Sequence, residues 1–334
     1  MAARIAVDAM GGDNAPGVVI EGALRVASGD LQLLLFGPLR VLQEEMARHA
    51  PKGHPYIALI NAPQVIGMGD SPVAAVRAKP YSSMRIGLAY LRDGKADAFV
   101  SAGNTGALAA ASLFVLGRLL GVSRPSIPTY YPSINGVCLV LDVGSNMDSK
   151  PEHLLQFGQM GTAYARRVLD IEQPRVGLLS VGEEPAKGNE LVRAANKLFS
   201  AATSINFVGN IEGGDILHHA ADVVVCDGFV GNVILKLTES VMTALPVMVG
   251  QEVAAQGLPP SVADSFKCIV GGLKQRFNPE TYGGCAPLLG VNGTVIVLHG
   301  SSGARAFEKA IPLAVRIASA DVSAAIRVLA LGTA

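Results

Sequence analysis

The chain has 334 residues, of which half are hydrophobic and only 16% are charged, and it carries 27 basic and 27 acidic residues. That length allows one large domain or two ordinary ones, and the balanced charge excludes a global field that would attract nucleic acid. No uninterrupted apolar stretch approaches the ~20 residues of a membrane span.

Cysteine usage and the first residues indicate a cellular compartment. The four cysteines are scattered without a CxxC pair, which predicts reduced thiols and neither disulfides nor a metal site. The apolar run that begins at Arg4 leaves no room for a signal peptide before the first predicted strand. We therefore expect a cytoplasmic protein.

The first predicted element is the strand Arg4–Asp8, which ends on a carboxylate and is followed by Gly11, Gly12 and Asp13. A helix is predicted to begin at Pro16. Glycines between a strand and a helix let the backbone approach a ligand, and the free N–H groups of the first helical turn attract anions. A tight turn without a ligand is the alternative.

The same arrangement recurs along the chain, where apolar runs end in polar, glycine-bearing loops. These runs are LQLLLFGP (31–38), AFVSAGNTG (98–106), VCLVLDVGSNMD (137–148), RVGLLSVGEEPAKGNE (175–190), VVVCDGFVGN (223–232) and VIVLHGSSGA (295–304). Helix-like segments separate most of them, so the sequence predicts a single three-layer α/β domain, 1–334, with a largely parallel sheet. Ligands of such folds lie outside the carboxyl ends of the strands.

Two segments share a pattern. Residues 96–106 and 221–231 both read A-D-x-x-V-x-x-G-x-x-G. The match predicts two equivalent strand–loop–helix units facing one cleft, with a chance match between Ala/Val/Gly-rich stretches as the alternative.

Residues 237–277 interrupt the strand rhythm and predict a helical hairpin that turns at residues 257–260. One interpretation packs the two helices on each other or on a second copy of the chain. The other places an apolar tip with basic neighbours, such as Lys267 and Lys274, on an anionic membrane.

Common catalytic motifs are absent, because the sequence contains no GxGxxG after a strand, no Walker A motif and no GxSxG elbow. The predicted rim instead offers small polar loops that could hold phosphate by neutral donors and a lysine. Their candidate residues are Asn104, Thr105, Asp142, Asn146, Lys187, Asn189, Asp227, Asn232, His299, Ser301 and Ser302, with Lys236 one helical turn beyond Asn232.

Seven motifs together carry a family resemblance that runs from about residue 4 to about residue 330. They are AVDAMGGDNAPG, VSAGNTGAL, LDVGSNMDSKPEHLLQF, SVGEEPAKGNEL, VVCDGFVGNVILK, YGGCAPLLG and VLHGSS. The chain resembles the bacterial phosphate acyltransferases of phospholipid synthesis. YGGCAPLLG departs from the family pattern by one residue, with Cys285 the apparent extra, and no role is assigned to it.

The resemblance implies several expectations. The fold should be similar to that of the isocitrate and isopropylmalate dehydrogenases. A long acyl chain should pass from acyl carrier protein to inorganic phosphate without a cofactor. The protein should be a homodimer that binds the membrane peripherally through hairpin 237–277. Three rivals stay open, namely a nicotinamide-dependent dehydrogenase, a phosphate acetyltransferase that uses acetyl-CoA and a membrane-bound organising protein.

Phosphate is already a competent nucleophile, so the reaction needs phosphate held about 3–3.5 Å from the thioester carbon and donors for the developing oxyanion. On this chemistry we predict that Asn104, Thr105 and Ser301 bind phosphate. Lys187 should neutralise phosphate or the oxyanion, and His299 should protonate the departing thiolate, with loop capping as its alternative.

The remaining predicted site residues are expected to organise the site. Asp8, Asp142 and Asp227 should orient donors, because bare carboxylates repel phosphate. Gly11 and Gly12 should let the first loop close over the cleft, and Asp13 should order neighbouring loops. For the acyl chain the hairpin is one candidate groove. For the acidic carrier protein, two basic sets are open, one at 77–95 and one at 267–276.

Overall fold

The computed structural model describes residues 2–257, 260–277 and 284–332. Its strands are β1 (Ala3–Asp8), β2 (Leu31–Gly37), β3 (Ile57–Asn61), β4 (Ala98–Ser101), β5 (Thr129–Ser133), β6 (Gly136–Leu141), β7 (Arg175–Leu179), β8 (Asn206–Ile211), β9 (Val223–Val225), β10 (Cys285–Pro287) and β11 (Val295–Leu298). Most follow the predicted alternation with helices, so the α/β class is confirmed.

The helices connect successive parallel strands and cover the sheet faces. They are α1 (Gly17–Val26), α2 (Leu39–His49), α3 (Pro72–Ala78), α4 (Ser83–Arg92), α5 (Thr105–Val115), α6 (Pro151–Val168), α7 (Glu190–Ala201), α8 (Gly213–His218), α9 (Gly228–Ala255), α10 (Pro260–Phe277), α11 (Ala304–Ser319) and α12 (Val322–Ala330).

The strands form two sheets, which corrects the prediction of one. The first has the order β10-β11-β4-β1-β2-β3 and the second the order β5-β6-β9-β7-β8. Each is parallel except at one edge, where β10 runs antiparallel to β11 and β5 antiparallel to β6. The chain leaves the first sheet after α5 and returns to it only at β10, so the second sheet is built from the intervening residues.

A shared core holds the two sheets together. Ile5 of the first sheet, Leu139 of the second and Phe157 and Tyr164 of α6 belong to one cluster of fully or almost fully buried side chains. The carboxyl ends of β4 and β11 in the first sheet and of β6 in the second therefore border one cleft.

The repeated segments occupy equivalent positions in the two sheets. The Arg4 backbone N–H donates to the Asp97 carboxylate at 2.7 Å, and the Arg175 N–H donates to Asp222 at 2.8 Å. Each aspartate thus ties the start of its own strand to the start of the neighbouring strand. This shared geometry supports internal duplication over a chance match.

The predicted hairpin is present as α9 and α10, which pack on each other. By length and composition α9 could cross a membrane, and none of its most apolar stretch is buried, so the expectation that no segment approaches a span fails on that measure. Exposed apolar side chains recur every four residues along α9, at Phe229, Val233, Leu237 and Val241. Part of the predicted turn, residues 258 and 259, lies outside the described residues.

Candidate active site

A cleft of about 450 Å³ lies between the two sheets. Its volume falls within the usual range for small-molecule sites. The predicted residues that line it are Thr105, Asn232, His299, Ser301 and Ser302. The cleft therefore unites about a third of the predicted site and takes members from both sheets.

Two helix N-termini face this cleft. Thr105 is the first residue of α5, and the 299–303 loop leads directly into α11, whose N-cap Gly303 supplies no side-chain hydrogen bond. The first N–H groups of a helix lack intrahelical partners and carry a partial positive charge. This end of the cleft therefore suits an anion with several oxygens.

His299 is held by its own loop. Its Nδ1 lies 2.8 Å from the Ser301 hydroxyl and accepts the Ser301 backbone N–H at 3.3 Å. Both contacts engage Nδ1, so the loop fixes the ring through that nitrogen. Nε2 is the nitrogen that can exchange a proton with a substrate.

Helix α9 carries the charged groups that line the cleft, beside Thr129, Tyr130 and Val143 of the second sheet and its loops. Asn232, Lys236 and Glu239 line the cleft at spacings of four and three residues, and Lys236 Nζ lies 2.7 Å from the Glu239 carboxylate. Lys236 lies one helical turn beyond Asn232 but is not among the predicted catalytic or binding residues. Its four-residue spacing from Asn232 could have identified it, because residues four apart share a helix face.

Lys187 does not line this cleft. It is exposed in the loop before α7, where its backbone N–H donates to the Glu184 carbonyl at 2.9 Å. That loop borders a separate hollow of about 280 Å³, lined by Ser180, Asn189, Asp227 and apolar side chains. Within one chain the structure therefore does not bring Lys187 to His299, and its catalytic role stays a prediction.

Three predicted binding residues are helix caps. The side chains of Asn104, Asn189 and Asp227 accept N–H groups from Ala107, Val192 and Val230 at 2.9–3.0 Å. The Asn104 amide also donates to the carbonyls of Met68 and Asp70, at 2.8 and 3.1 Å. These bonds engage the Asn104 side chain in positioning α5 and its Thr105, and its contact with phosphate stays a prediction.

Asp142 is a buried hub next to the cleft. Its carboxylate accepts the Ser126 hydroxyl at 3.1 Å, the Ile127 N–H at 3.2 Å, and the backbone and side-chain N–H groups of Asn146 at 2.7 and 3.1 Å. A Cβ at Gly231 would collide with the Asp142 carbonyl, so the first turns of α9 approach this hub closely. Asp142 thereby fixes the helix that carries Asn232 and Lys236, and Asn146 belongs to the hub rather than to the cleft.

Asp8 is a second buried carboxylate, at the carboxyl end of β1 in the first sheet. It accepts the Ser101 hydroxyl at 2.8 Å and the Met10 N–H at 3.2 Å, and the Ser101 hydroxyl in turn accepts the Gly103 N–H at 3.0 Å. Complete burial raises the pKa of the Asp8 carboxyl, although hydrogen bonds from Ser83, Ser101 and Met10 oppose the shift. Asp8 thus orders the turn that leads into α5.

The first glycine loop packs on this turn. A Cβ on Gly11 would lie 2.7 Å from the Gly103 nitrogen and 2.8 Å from the Asp8 carboxylate, and Gly12 has φ of +105°. The Asp13 N–H donates to the Gly300 carbonyl at 2.8 Å, which joins this loop to the 299–303 loop. Closure of this loop over the cleft and an organising role for the Asp13 side chain stay predictions.

The described residues contain no group of three His, Cys, Asp or Glu side chains arranged to hold a metal ion. The groups that line the cleft are hydroxyls, an amide, an imidazole, one lysine and one glutamate, together with apolar side chains. This set can bind an anion and move a proton with the chain's own residues.

Comparison with known proteins gives concordant matches. The sequence profile of the family described as fatty acid synthesis protein matches residues 3–325. A phosphate acyltransferase of Salinibacter ruber is 51% identical over 328 residues, 97% of each chain, and one of Desulforudis audaxviator is 48% identical over 93% of this chain and 91% of that protein. Among solved structures, a phosphotransacetylase from Streptococcus pyogenes has a TM-score of 0.62 over 96% of this chain and 94% of that one, at 18% identity. That structure shows a shared fold.

Proposed function

The chain belongs to the fatty acid synthesis protein family, and from that premise we propose that it transfers a long-chain acyl group from acyl carrier protein to inorganic phosphate. The product is an acyl phosphate for glycerol-3-phosphate acylation in phospholipid synthesis. The observation that carries the proposal is the cleft between the sheets, which joins an anion-binding rim to apolar strand walls in a chain of this family.

Phosphate binds where the 299–303 loop and the N-terminus of α5 meet the side of α9. The Thr105 and Ser301 hydroxyls, the Asn232 amide and the first N–H groups of α11 supply neutral donors, and Lys236 supplies positive charge. Ser302 is almost completely buried, and its backbone N–H donates to the His299 carbonyl, so it shapes the loop.

Transfer proceeds by direct attack, without an acyl–enzyme intermediate. A phosphate oxygen forms the new bond to the thioester carbon while the carbonyl electrons move to oxygen and give a tetrahedral oxyanion. The oxyanion collapses and the C–S bond breaks. His299 Nε2 takes the proton that the attacking hydrogen phosphate loses and gives it to the departing thiolate. Lys236, which is partly exposed and paired with Glu239, supplies positive charge for the oxyanion that develops during attack.

The predicted catalytic role of Lys187 remains part of the proposal as a second source of positive charge. Its exposed loop precedes α7 and borders the same hollow as Asp227, the N-cap of α9. The Lys187 loop therefore adjoins the start of α9, whereas Lys236 lies on the part of α9 that lines the cleft. Which lysine acts on phosphate is decided by the paired substitutions described in the Discussion.

The quaternary and membrane proposals rest on the unburied apolar side chains of α9 and α10. A 28-residue helix with no buried residue in its most apolar window is unusual for a protein that stays a lone monomer in water. We therefore assign part of this surface to a homodimer and the rest of the hairpin, with exposed Val247 and Met248 on α9 and Ile269 on α10, to a peripheral contact with the cytoplasmic membrane surface.

Two finer structural expectations also belong here. The two sheets with their shared core are taken as one α/β domain, and its fold as similar to that of the isocitrate and isopropylmalate dehydrogenases. The parallel strand order and the phosphotransacetylase likeness support both.

Acyl carrier protein is acidic, and its docking surface should be basic. In the 77–95 set, the cations are engaged locally: Arg77 lies over Phe114, Lys79 pairs with Asp70 and Lys95 lies over Tyr90. In the hairpin set, Arg276 donates to the carbonyls of Ser133 and Ile134. Both sets stay candidates.

The test is acyl-phosphate formation by purified protein, measured by mass spectrometry with palmitoyl carrier protein and inorganic phosphate. Palmitoyl-CoA and acetyl-CoA run as parallel donors, and omission of phosphate is the control. Phosphate-dependent palmitoyl phosphate is expected. Consumption of acetyl-CoA alone would identify an acetyltransferase instead, and no product from any donor would favour a non-catalytic organising protein.

A further inference from the structure

The cleft is polar at one end and apolar along its length. Besides the polar groups, it is lined by residues of two antiparallel edge strands, β5 and β10, and by the end of β11. The apolar members are Ile127, Pro128, Tyr130, Val143, Leu235, Cys285, Ala286, Val297 and Leu298.

Strand register shows how the two parts are arranged. Cys285 pairs with Leu298, which immediately precedes His299, and Ala286 pairs with Val297 one position farther from the polar loop. Across the cleft, Thr129 pairs with Val140 and Tyr130 with Leu139, again moving away from the carboxyl end of β6. The apolar walls therefore lead from the reacting groups down along both edge strands.

The Tyr130 hydroxyl and the Cys285 thiol, which belong to these walls, are not available to react with the thioester. The Tyr130 hydroxyl lies 2.7 Å from the hydroxyl of the fully buried Tyr164, so the wall presents the aromatic ring. Burial raises the pKa of the Cys285 thiol to about 12, which keeps the sulfur neutral and a poor nucleophile beside a thioester. A neutral thiol and a ring make an apolar surface that does not compete with phosphate for the acyl group.

We infer that the walls formed by Pro128, Tyr130, Cys285 and Ala286 bind the first carbons of the acyl chain and that Ala286 sets the room available to them. This inference rests on the proposed function and deepens it. Two strand residues beyond Leu298, the neighbour of His299, span about 7 Å. The walls therefore hold the carboxyl-proximal part of a long acyl chain and not all of it.

A rival location exists in the hairpin, where α9 and α10 enclose an apolar groove of about 420 Å³. That groove was the candidate raised by the sequence. It is lined by Val249, Val253, Ala254 and Phe266, and none of its lining residues is shared with the cleft. We favour the cleft because its apolar walls adjoin the residues that bind phosphate. The thioester carbon must lie next to phosphate to react, so the acyl chain must start there.

The experiment places the same bulky side chain in each groove. Ala286→Phe fills the cleft wall and Ala254→Phe fills the hairpin groove. Each variant and the wild type are assayed for phosphate-dependent product with carrier protein bearing butyryl, octanoyl or palmitoyl groups. Each buried methylene contributes about fourfold in affinity, so loss of a few contacts should be measurable.

For Ala286→Phe we expect kcat/KM for octanoyl and palmitoyl donors to fall about tenfold or more relative to butyryl. Ala254→Phe should keep the wild-type ratio within about twofold. If the wild type uses only long donors, the same difference is expected in the KM for palmitoyl carrier protein. A shift caused by Ala254→Phe, or by neither variant, would overturn the inference.

Folding and the basal reaction are controlled separately. Thermal unfolding identifies an Ala286→Phe protein that fails to fold, and the milder Ala286→Val should then show the same chain-length trend at smaller size. A wild type that forms no acyl phosphate from any donor would refute the proposed function itself, which distinguishes that failure from a failure of the acyl subsite.

Discussion

The carboxyl ends of the two sheets carry similar residue types but use them differently. At the first sheet, Thr105, His299 and Ser301 present polar groups to the cleft. At the second sheet, the polar loop residues are occupied by the fold itself, since Asp142 and Asn146 form a buried hub and Asn189 and Asp227 cap helices. The second sheet brings its charged side chains to the cleft from the side of α9, while Thr129 and Tyr130 of β5 and Val143 after β6 line the wall.

This difference shows that a polar residue after a strand predicts a ligand contact only when its hydrogen-bond partner is known. Asn, Asp, Ser and Thr are preferred both as helix N-caps and at anion sites, because both tasks involve the free N–H groups of a helix start. A cap that has accepted its helix N–H no longer offers that atom to phosphate.

Removal of the buried hub should produce the largest effect. We expect Asp142→Ala to lower the free energy of unfolding by about 3 kcal/mol, because its buried donors lose their acceptor. The matched control is Asp227→Ala, which removes one partly buried cap and should cost about 1 kcal/mol. Urea denaturation measures both, and equal losses would show that Asp142 is not a hub.

Substitution of each lysine in turn distinguishes the cleft, which contains Lys236, from the Lys187 loop as the place where phosphate binds. Lys236→Ala should lower kcat/KM for phosphate by about a hundredfold, as loss of a fixed donor to a developing oxyanion does. Lys187→Ala, outside the cleft lining, should lower it by less. The reverse order in steady-state kinetics would assign the phosphate cation to Lys187, as the sequence predicted.

The role of His299 can be isolated through the leaving group. With a carrier-protein donor, His299→Gln should lower kcat by about ten- to a hundredfold, because the thiolate departs without its acid. With an acyl aryl thioester, whose thiol is far more acidic, the loss should nearly disappear. An equal loss with both donors would indicate that His299 only holds its loop.

The smallest expected effect concerns Asp8 and pH. Burial raises the pKa of this carboxyl above its unfolded value of 3.8, so the folded chain binds the proton more tightly than the unfolded chain does. Its contribution to stability is present below that unfolded value and is lost as pH rises through the folded pKa. Asp8→Asn should therefore flatten the dependence of unfolding free energy on pH above about 4. An unchanged slope in denaturation at several pH values would contradict this.

The sequence predicted the interior of both sheets and missed their edges. The apolar runs correspond to β1, β2, β4, β6, β7, β9 and β11, all of which have a neighbouring strand on each side. The strands that it did not single out, β3, β5, β8 and β10, are the four edges. Interior parallel strands are buried on both faces and read as continuous apolar runs, whereas edge strands are partly exposed and mixed in composition.

The missed edges also limit the predicted site. Without β5 and β10, the sequence offered no cleft wall, so the hairpin was the available apolar groove. Likewise, Lys187 lies in a conspicuous loop, whereas Lys236 lies within a helix and is recognised only by its four-residue spacing from Asn232. The order of the strands places Lys236 in the cleft lining and Lys187 outside it, which the sequence alone does not show.

The most direct test of the central claim, that the cleft between the sheets binds the phosphate, is crystallographic. Crystals grown without sulfate or phosphate would be soaked in arsenate, which shares the shape and charge of phosphate and scatters anomalously. We expect an anomalous peak within hydrogen-bonding distance of Thr105, Ser301 and Lys236. This peak should be lost in Lys236→Ala crystals. A peak beside the Lys187 loop with none in the cleft would contradict it.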